Sequence, residues 1–214
     1  MKATITSLIF LLLSLTVSSQ TYKYIGIEEG LSNQKIYRIQ KDARGYMWFL
    51  THVGIDRYNG KEIKHYKLKE GDRELDPLLN INWTYLDKTG TLLVTGKQGR
   101  IFRYDSGHDR FVQIYSMYNY WNKDYHAFVR YSYIDQESNV WLCGKSAIHL
   151  FNIESGQKQR ISNRLGNITC IEQINSEHFF IGTDKRIYLV KLENGNLKEL
   201  SCGKLELMYR HGHE

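Results

Sequence analysis

The chain has few cysteines, no second long apolar run and no paired acids, and each absence removes a class of function. Its 214 residues hold only three cysteines, Cys143, Cys170 and Cys202. An odd count of three is no disulfide framework. It leaves open one bridge with a spare thiol, or three buried thiols acting as small apolar side chains. Beyond residue 19 no stretch approaches the roughly 20 apolar residues that a bilayer-spanning helix needs. The formal net charge of +6 is spread along the chain. Without a lysine- or arginine-rich stripe, nucleic acid is excluded as a partner. No motif places two carboxylates together. Glu28 and Glu29 are adjacent, so on a strand they would point to opposite faces. General acid/base hydrolysis therefore has no visible pair, and no enzyme activity is expected. His211 and His213 sit at the extreme terminus, where two ligands make a poor metal site. Neither metal nor cofactor is expected.

What the chain does have begins with a leader. Met1-Lys2 gives a positive start, Leu8 to Leu15 an apolar core, and Val17-Ser18-Ser19 a small-residue site before Gln20. Residues 1–19 thus form a signal peptide, and the rest is exported with no membrane span after cleavage. No cysteine follows the cleavage site, so no lipid anchor is expected.

The main signal is an internal repeat. Asp42 to Gly45, Met47 to Thr51, Gly54 to Tyr58 and Asn59-Gly60 form the first unit. Asp87 to Gly90, Leu92 to Thr95, Ile101 to Tyr104 and Ser106-Gly107 form the second. Asp135 to Ser138, Val140 to Leu142, Ile148 to Phe151 and Ser155-Gly156 form the third, and Phe179 to Thr183, Ile187 to Val190 and Asn194-Gly195 the fourth. With Trp48, Leu93, Trp141 and Phe180 equivalent, the period is roughly 40–50 residues, that of propeller blades with four short strands each. Asp at the start and Gly at the end suit a tight A–B turn, and Asn-Gly or Ser-Gly suits the C–D hairpin. Strand B is apolar on consecutive residues, as in Met47-Trp48-Phe49-Leu50, which implies burial on both faces. A sheet sandwiched between two neighbours meets that demand. The chain is therefore all-β: a β-propeller of four recognisable four-stranded blades at about 31–66, 79–115, 127–161 and 165–200 within residues 20–214.

Gly30-Leu31-Ser32-Asn33, then Asp42-x-x-Gly45-x-x-Trp48, then Thr51-x-x-Gly54-Ile55-x-Arg57-Tyr58-Asn59-Gly60 resembles the two-component regulator propeller repeat. More narrowly it is similar to the amino-terminal periplasmic region of hybrid two-component sensors of Bacteroidetes. Later units depart from the pattern, with Ser138 in place of the turn glycine and Phe180 in place of tryptophan. The resemblance implies a seven-bladed propeller, of which four blades are visible. It also implies a periplasmic location, a glycan-derived ligand, and a kinase that belongs to other parts of such sensors. The chain is thus expected to be a partial propeller acting with the remaining domains of a sensor kinase or with a second copy of itself. A stand-alone exported polysaccharide-binding propeller is the alternative.

Strand direction puts the B–C turns and D–A connections on one face. The longer D–A connections are Lys67 to Leu78 and Ser116 to Tyr125. The second is dense in aromatics beside polar groups, so Tyr118, Tyr120 and Trp121 are candidates to stack on a sugar, or else to pack back on the rim. The B–C turns add His52, Lys97, Gln98, Lys145, Lys185 and Arg186, a basic rim suited to an oligosaccharide or other small acidic ligand, or simply solvated turn charge. Finally, Thr21 to Ile27 alternates like a leading strand that completes the final blade in a closed propeller; with that blade not among the four, Tyr22, Tyr24 and Ile27 are expected to lack partners.

Overall fold

The structure is a computed structural model describing residues 22–120 and 128–204, with nothing stated for the side chains of Tyr120 and Lys204. The signal peptide, Trp121, Tyr125, His211 and His213 lie outside the described residues. Blade one comprises β1 (Ile36–Lys41), β2 (Met47–Thr51), β3 (Ile55–Tyr58) and β4 (Ile63–Tyr66). A small hairpin of β5 (Lys69–Glu70) and β6 (Arg73–Glu74) and the helical turn α1 (Pro77–Asn80) lead to blade two. That blade holds β7 (Trp83–Leu86), β8 (Leu92–Thr95), β9 (Arg100–Asp105) and β10 (Arg110–Ser116), followed by α2 (Met117–Tyr120). Blade three is β11 (Tyr131–Ile134), β12 (Asn139–Cys143), β13 (Ala147–Asn152) and β14 (Lys158–Ser162). Blade four is β15 (Ile168–Gln173), β16 (His178–Thr183), β17 (Arg186–Glu193) and β18 (Asn196–Lys204). Each is an antiparallel four-stranded sheet whose strands pair in sequence order.

The turn motif sets each blade's geometry. Asp42 Oδ1 accepts the backbone N–H groups of Arg44 (2.9 Å) and Tyr46 (3.0 Å), closing the A–B turn. Its Oδ2 accepts the Trp48 indole N–H at 2.8 Å. Asp135 repeats this with Trp141, again at 2.8 Å. Both rings are fully buried, so a polar handle inside the core is satisfied by a carboxylate from the same turn. Blade two has Leu93 where the indole would be. There Arg103, paired with Leu93 across β8 and β9, brings its guanidinium to 2.6 Å from Asp87 Oδ2. Burial opposes ionisation of Asp87, but bonds from Thr89 and Thr91 and the Arg103 charge hold its carboxyl below the usual range. Gly45 and Gly90 sit at φ of +86° and +74°, and Ser138 takes the same left-handed place at +69°. The Ser138 hydroxyl donates to Glu154 Oε1 at 2.7 Å, tying the A–B turn to the C–D turn.

Three hydrophobic clusters fill the three blade interfaces. Trp48, Leu50, Leu92, Val94 and Phe102 join blades one and two. Leu93, Ile101, Tyr115, Leu142 and Phe151 join two and three, and Trp141, Ile148, Phe179, Ile181 and Val190 join three and four. Leu92 and Leu93 thus face opposite neighbours, as an all-apolar strand B requires. Each such buried side chain stabilises by roughly 1.5–3 kcal/mol. On β16 the pattern splits: Phe179 is fully buried, whereas Phe180 is 47% exposed, with Ile174 and Ile187 exposed beside it. Phe180 keeps the tryptophan's register but faces away from blade three.

Blades one and two are also clasped at their outer edge. Asp109, at φ +49° in the C–D turn of blade two, reaches strands C and D of blade one. Its Oδ1 accepts from Arg57 Nη1 (2.9 Å), Tyr66 Oη (2.6 Å) and Tyr104 Oη (2.5 Å), and its Oδ2 from Lys64. The Arg57 guanidinium lies over the rings of Tyr46, Trp48, Tyr66 and Tyr104. In this turn Asp109, not Gly107, supplies the left-handed residue.

One expectation is met in part and one fails. Residues 22–25 form no strand and the chain turns at 26–30, but Tyr22, Tyr24 and Ile27 are exposed, as expected of a leading segment without its partner strands. The thiols are not three buried side chains, nor is there a bridge: Cys143 is buried, while Cys170 and Cys202 are free and exposed. Cys170 and Cys202 lie on β15 and β18, the first and last strands of blade four.

Candidate functional site

The B–C turns and D–A connections do share a face, and the backbone pins them together. His52 N–H donates to Lys35 O at 3.1 Å, Gln98 to Leu79 O at 3.1 Å, Asn163 to Ser146 O at 2.9 Å and Asp184 to Asn167 O at 3.2 Å. The expected site residues are strung along this face, one blade at a time. His52 Nδ1 is 2.7 Å from Tyr37 Oη in blade one. Lys97, half-buried in blade two, accepts the Val129 N–H on its carbonyl at 2.8 Å. Lys145 is exposed in blade three. Each of the three belongs to a different blade.

The aromatic connection is only partly visible. Tyr118 lies on the buried Arg100, whose guanidinium carbon is 5.3 Å from the ring centre. Arg100 in turn donates to Gln98 Oε1 (2.5 Å) and Glu70 Oε2 (3.2 Å). Tyr118 therefore packs on the corner of blade two. Tyr120 is the last residue of α2, and Trp121 lies outside the described residues.

Lys145 does enter a groove, a notch of about 470 Å³ between blades three and four. Lys145, Arg164, Lys185 and Arg186 line it with Asn163, Asn167, Asp184 and Tyr188. Its walls are held rigidly. The buried Asn163 amide donates to Gly144 O and Gly166 O, each at 2.9 Å, and its Oδ1 accepts Leu165 N–H at 3.0 Å. Asn167 Nδ2 donates to Asp184 Oδ2 at 3.2 Å, and Thr183 Oγ1 accepts the Arg186 N–H at 3.1 Å. Arg164 and Asn163 were missed from sequence because only B–C turns and unusually long connections stood out. The polar run Asn163-Arg164-Leu165-Gly166-Asn167 in a short D–A connection was the available signal.

A second groove, about 590 Å³, runs along the outer edge between β4 and β10 over the Asp109 clasp. Within it Lys64 pairs with Asp109, and Lys67 pairs with Glu74 outside the lining. Among the described residues no three His, Cys, Asp or Glu side chains form a metal-binding group, and no helix is long and apolar enough to cross a membrane.

Comparison with known proteins agrees with this geometry. Residues 30–52, which carry the Gly30-Leu31-Ser32-Asn33 segment and the Asp42 to Trp48 motif, match the family model for the two component regulator propeller. No curated protein matches the chain in sequence. Among solved structures, it resembles the extracellular domain of BT3049 from B. thetaiotaomicron, described as a hybrid two component system, with TM-score 0.63 and 18% identity. That match covers 84% of this chain and 26% of the other. PorZ, a surface component of the type-IX secretion system of Porphyromonas gingivalis, aligns with TM-score 0.56 and 14% identity over 84% of this chain and 24% of its own. The dihydro-heme d1 dehydrogenase NirN aligns with TM-score 0.59 and 12% identity over 82% and 38%. At these identities the likeness is one of β-propeller fold. The chain spans about a quarter of the length of the first of these structures.

Proposed function

We propose that the chain is a periplasmic ligand-sensing segment of a hybrid two-component sensor, reading a glycan-derived ligand on its B–C face and performing no chemistry on it. The observation that carries this reading is the two component regulator propeller motif at residues 30–52, seated on the first blade of a propeller. The loop face supports it. Its turns are fixed by backbone bonds to the neighbouring connection, so a ligand spanning two blades meets a preorganised surface. The notch contains one carboxylate, Asp184, which lacks the second acid that glycoside hydrolysis uses. Kinase activity belongs to other segments of such a sensor.

The test combines location with ligand response. Expressed with its leader in a bacterial host, the protein should be released by osmotic shock. Screened against neutral and acidic oligosaccharides, it should show one class raising its melting temperature. At a ligand concentration of about 100 times Kd the gain is about 2.7 kcal/mol. Release of new reducing ends would reassign it as an enzyme. A full panel without a thermal response would defeat the sensing reading.

A further inference from the structure

We infer that the notch between blades three and four is an anion-recognition site that takes the carboxylate or sulfate of an acidic sugar, an inference that rests on the glycan-sensing reading above. Four cationic side chains, Lys145, Arg164, Lys185 and Arg186, line one groove with a single acid, Asp184. None of the four enters an ion pair among the described residues. Arg57, Lys64, Lys67, Arg73, Arg100, Arg103 and Lys191 each have a carboxylate, and other cations such as Arg38 and Lys41 stand singly on strands; the notch gathers four unpaired cations in one groove. Arg186 Nη1 lies 3.7 Å from the Cys202 thiol, and Glu199 acts on its charge from beyond ion-pair distance.

Concentrating like charges in a concave site raises the local potential and draws in anions. Holding them there also costs stability through mutual repulsion, which a bound anion removes. The frame is stiff. Asn163 fixes the loop carrying Lys145 to the connection carrying Arg164, and Asn167 fixes that connection to the turn carrying Asp184 and Lys185. The guanidinium groups of Arg164 and Arg186 suit a planar carboxylate or a sulfate as forked donors. Tyr188 and Leu165 add apolar surface for the C–H face of a pyranose. A volume of about 470 Å³ admits a mono- or disaccharide.

The experiment uses the full exported chain in calorimetric titrations with digalacturonate, a sulfated disaccharide, neutral galactobiose and inorganic sulfate. The notch predicts that one or both acidic sugars bind, that affinity falls with added salt, and that Arg164→Glu or Lys185→Glu weakens binding at least tenfold. Lys185→Arg should retain it. Both glutamate variants should melt no lower than the parent, since each relieves repulsion; a residue that merely supported the fold would lower the melt. Acidic sugars binding unchanged in both glutamate variants would remove the ligand from the notch. Inorganic sulfate matching the sugars would overturn the sugar assignment. Binding of galactobiose alone would overturn the inference while leaving glycan sensing intact, and failure of every glycan would overturn both.

Discussion

Replacing Asp109 should loosen blade one from blade two. Its carboxylate takes bonds from Arg57, Lys64, Tyr66 and Tyr104, and among the described residues Arg57 has no other counter-ion. Burial disfavours the ionised carboxyl, but the bonds from Lys64, Tyr104 and Tyr66 and the Arg57 charge prevail and hold it well below the usual carboxylate range. A fully buried pair broken on one side costs about 3–5 kcal/mol, and an exposed one about 0–1. The Arg57 side chain is 14% exposed and that of Asp109 36%, which places Asp109→Ala between those limits, at about 2 kcal/mol. For a chain this long that is a fall of about 4–8 °C in Tm. Lys64→Ala should cost under about 0.5 kcal/mol, because that lysine is half in solvent. The pH sign follows from the depressed carboxyl: its contribution is full above the unfolded value near 4 and is lost as pH falls through the folded one. The gap between parent and Asp109→Asn should therefore narrow below about pH 4. Urea melts followed by circular dichroism measure both. An Asp109→Ala chain melting within 1 °C of the parent, as an order-of-magnitude margin on the ~4–8 °C fall, would refute the clasp.

Three further outcomes are expected. Trp141→Phe removes the indole N–H from the buried Asp135 and should cost about 2 kcal/mol by chemical denaturation. Phe179→Ala should cost about 3–5 kcal/mol and Phe180→Ala under about 0.5, although the two are adjacent on β16; equal losses would contradict the face assignment. His149 is fully buried, and burial, reinforced by the Arg160 charge, pushes its pKa down to about 4. Its contribution is full above about pH 6.5 and declines toward pH 4 by at most about 1.4 kcal/mol per unit. His149→Leu should flatten that part of the stability profile, compared as urea midpoints at pH 7 and 5.

What the sequence revealed was what neighbouring residues decide. The spacing from Asp42 to Trp48 and from Asp135 to Trp141 set turn, register and blade, because one carboxylate serves both the turn and the ring. Apolar runs on strand B marked burial on both faces, and strand direction sorted the turns onto their face. Pairings distant in sequence were not legible. Arg103 stands in for an indole only because β9 lies beside β8, and Asp109 meets Arg57 across 52 positions. Arg164 joins Lys145 and Lys185 only because blades three and four abut. Alternation at Tyr22 to Ile27 is not realised as a strand, since such a pattern pairs only beside an available edge, and its apolar side chains stay exposed as expected.

The outermost strands of blades two to four carry positive charge: Arg110 on β10, Lys158 and Arg160 on β14, Lys198 on β18. These strands end their sheets, so each offers open backbone groups to any other chain it meets. Like charges on the approaching edges set up a colloidal barrier that keeps two molecules from zipping rim to rim. Such a barrier reaches only about a Debye length, near 8 Å at physiological ionic strength and about 3 Å in molar salt. Salt should therefore shift this protein from dispersed to self-associating without unfolding it, and lysine-to-glutamine changes along the rim should produce the same clouding at low ionic strength.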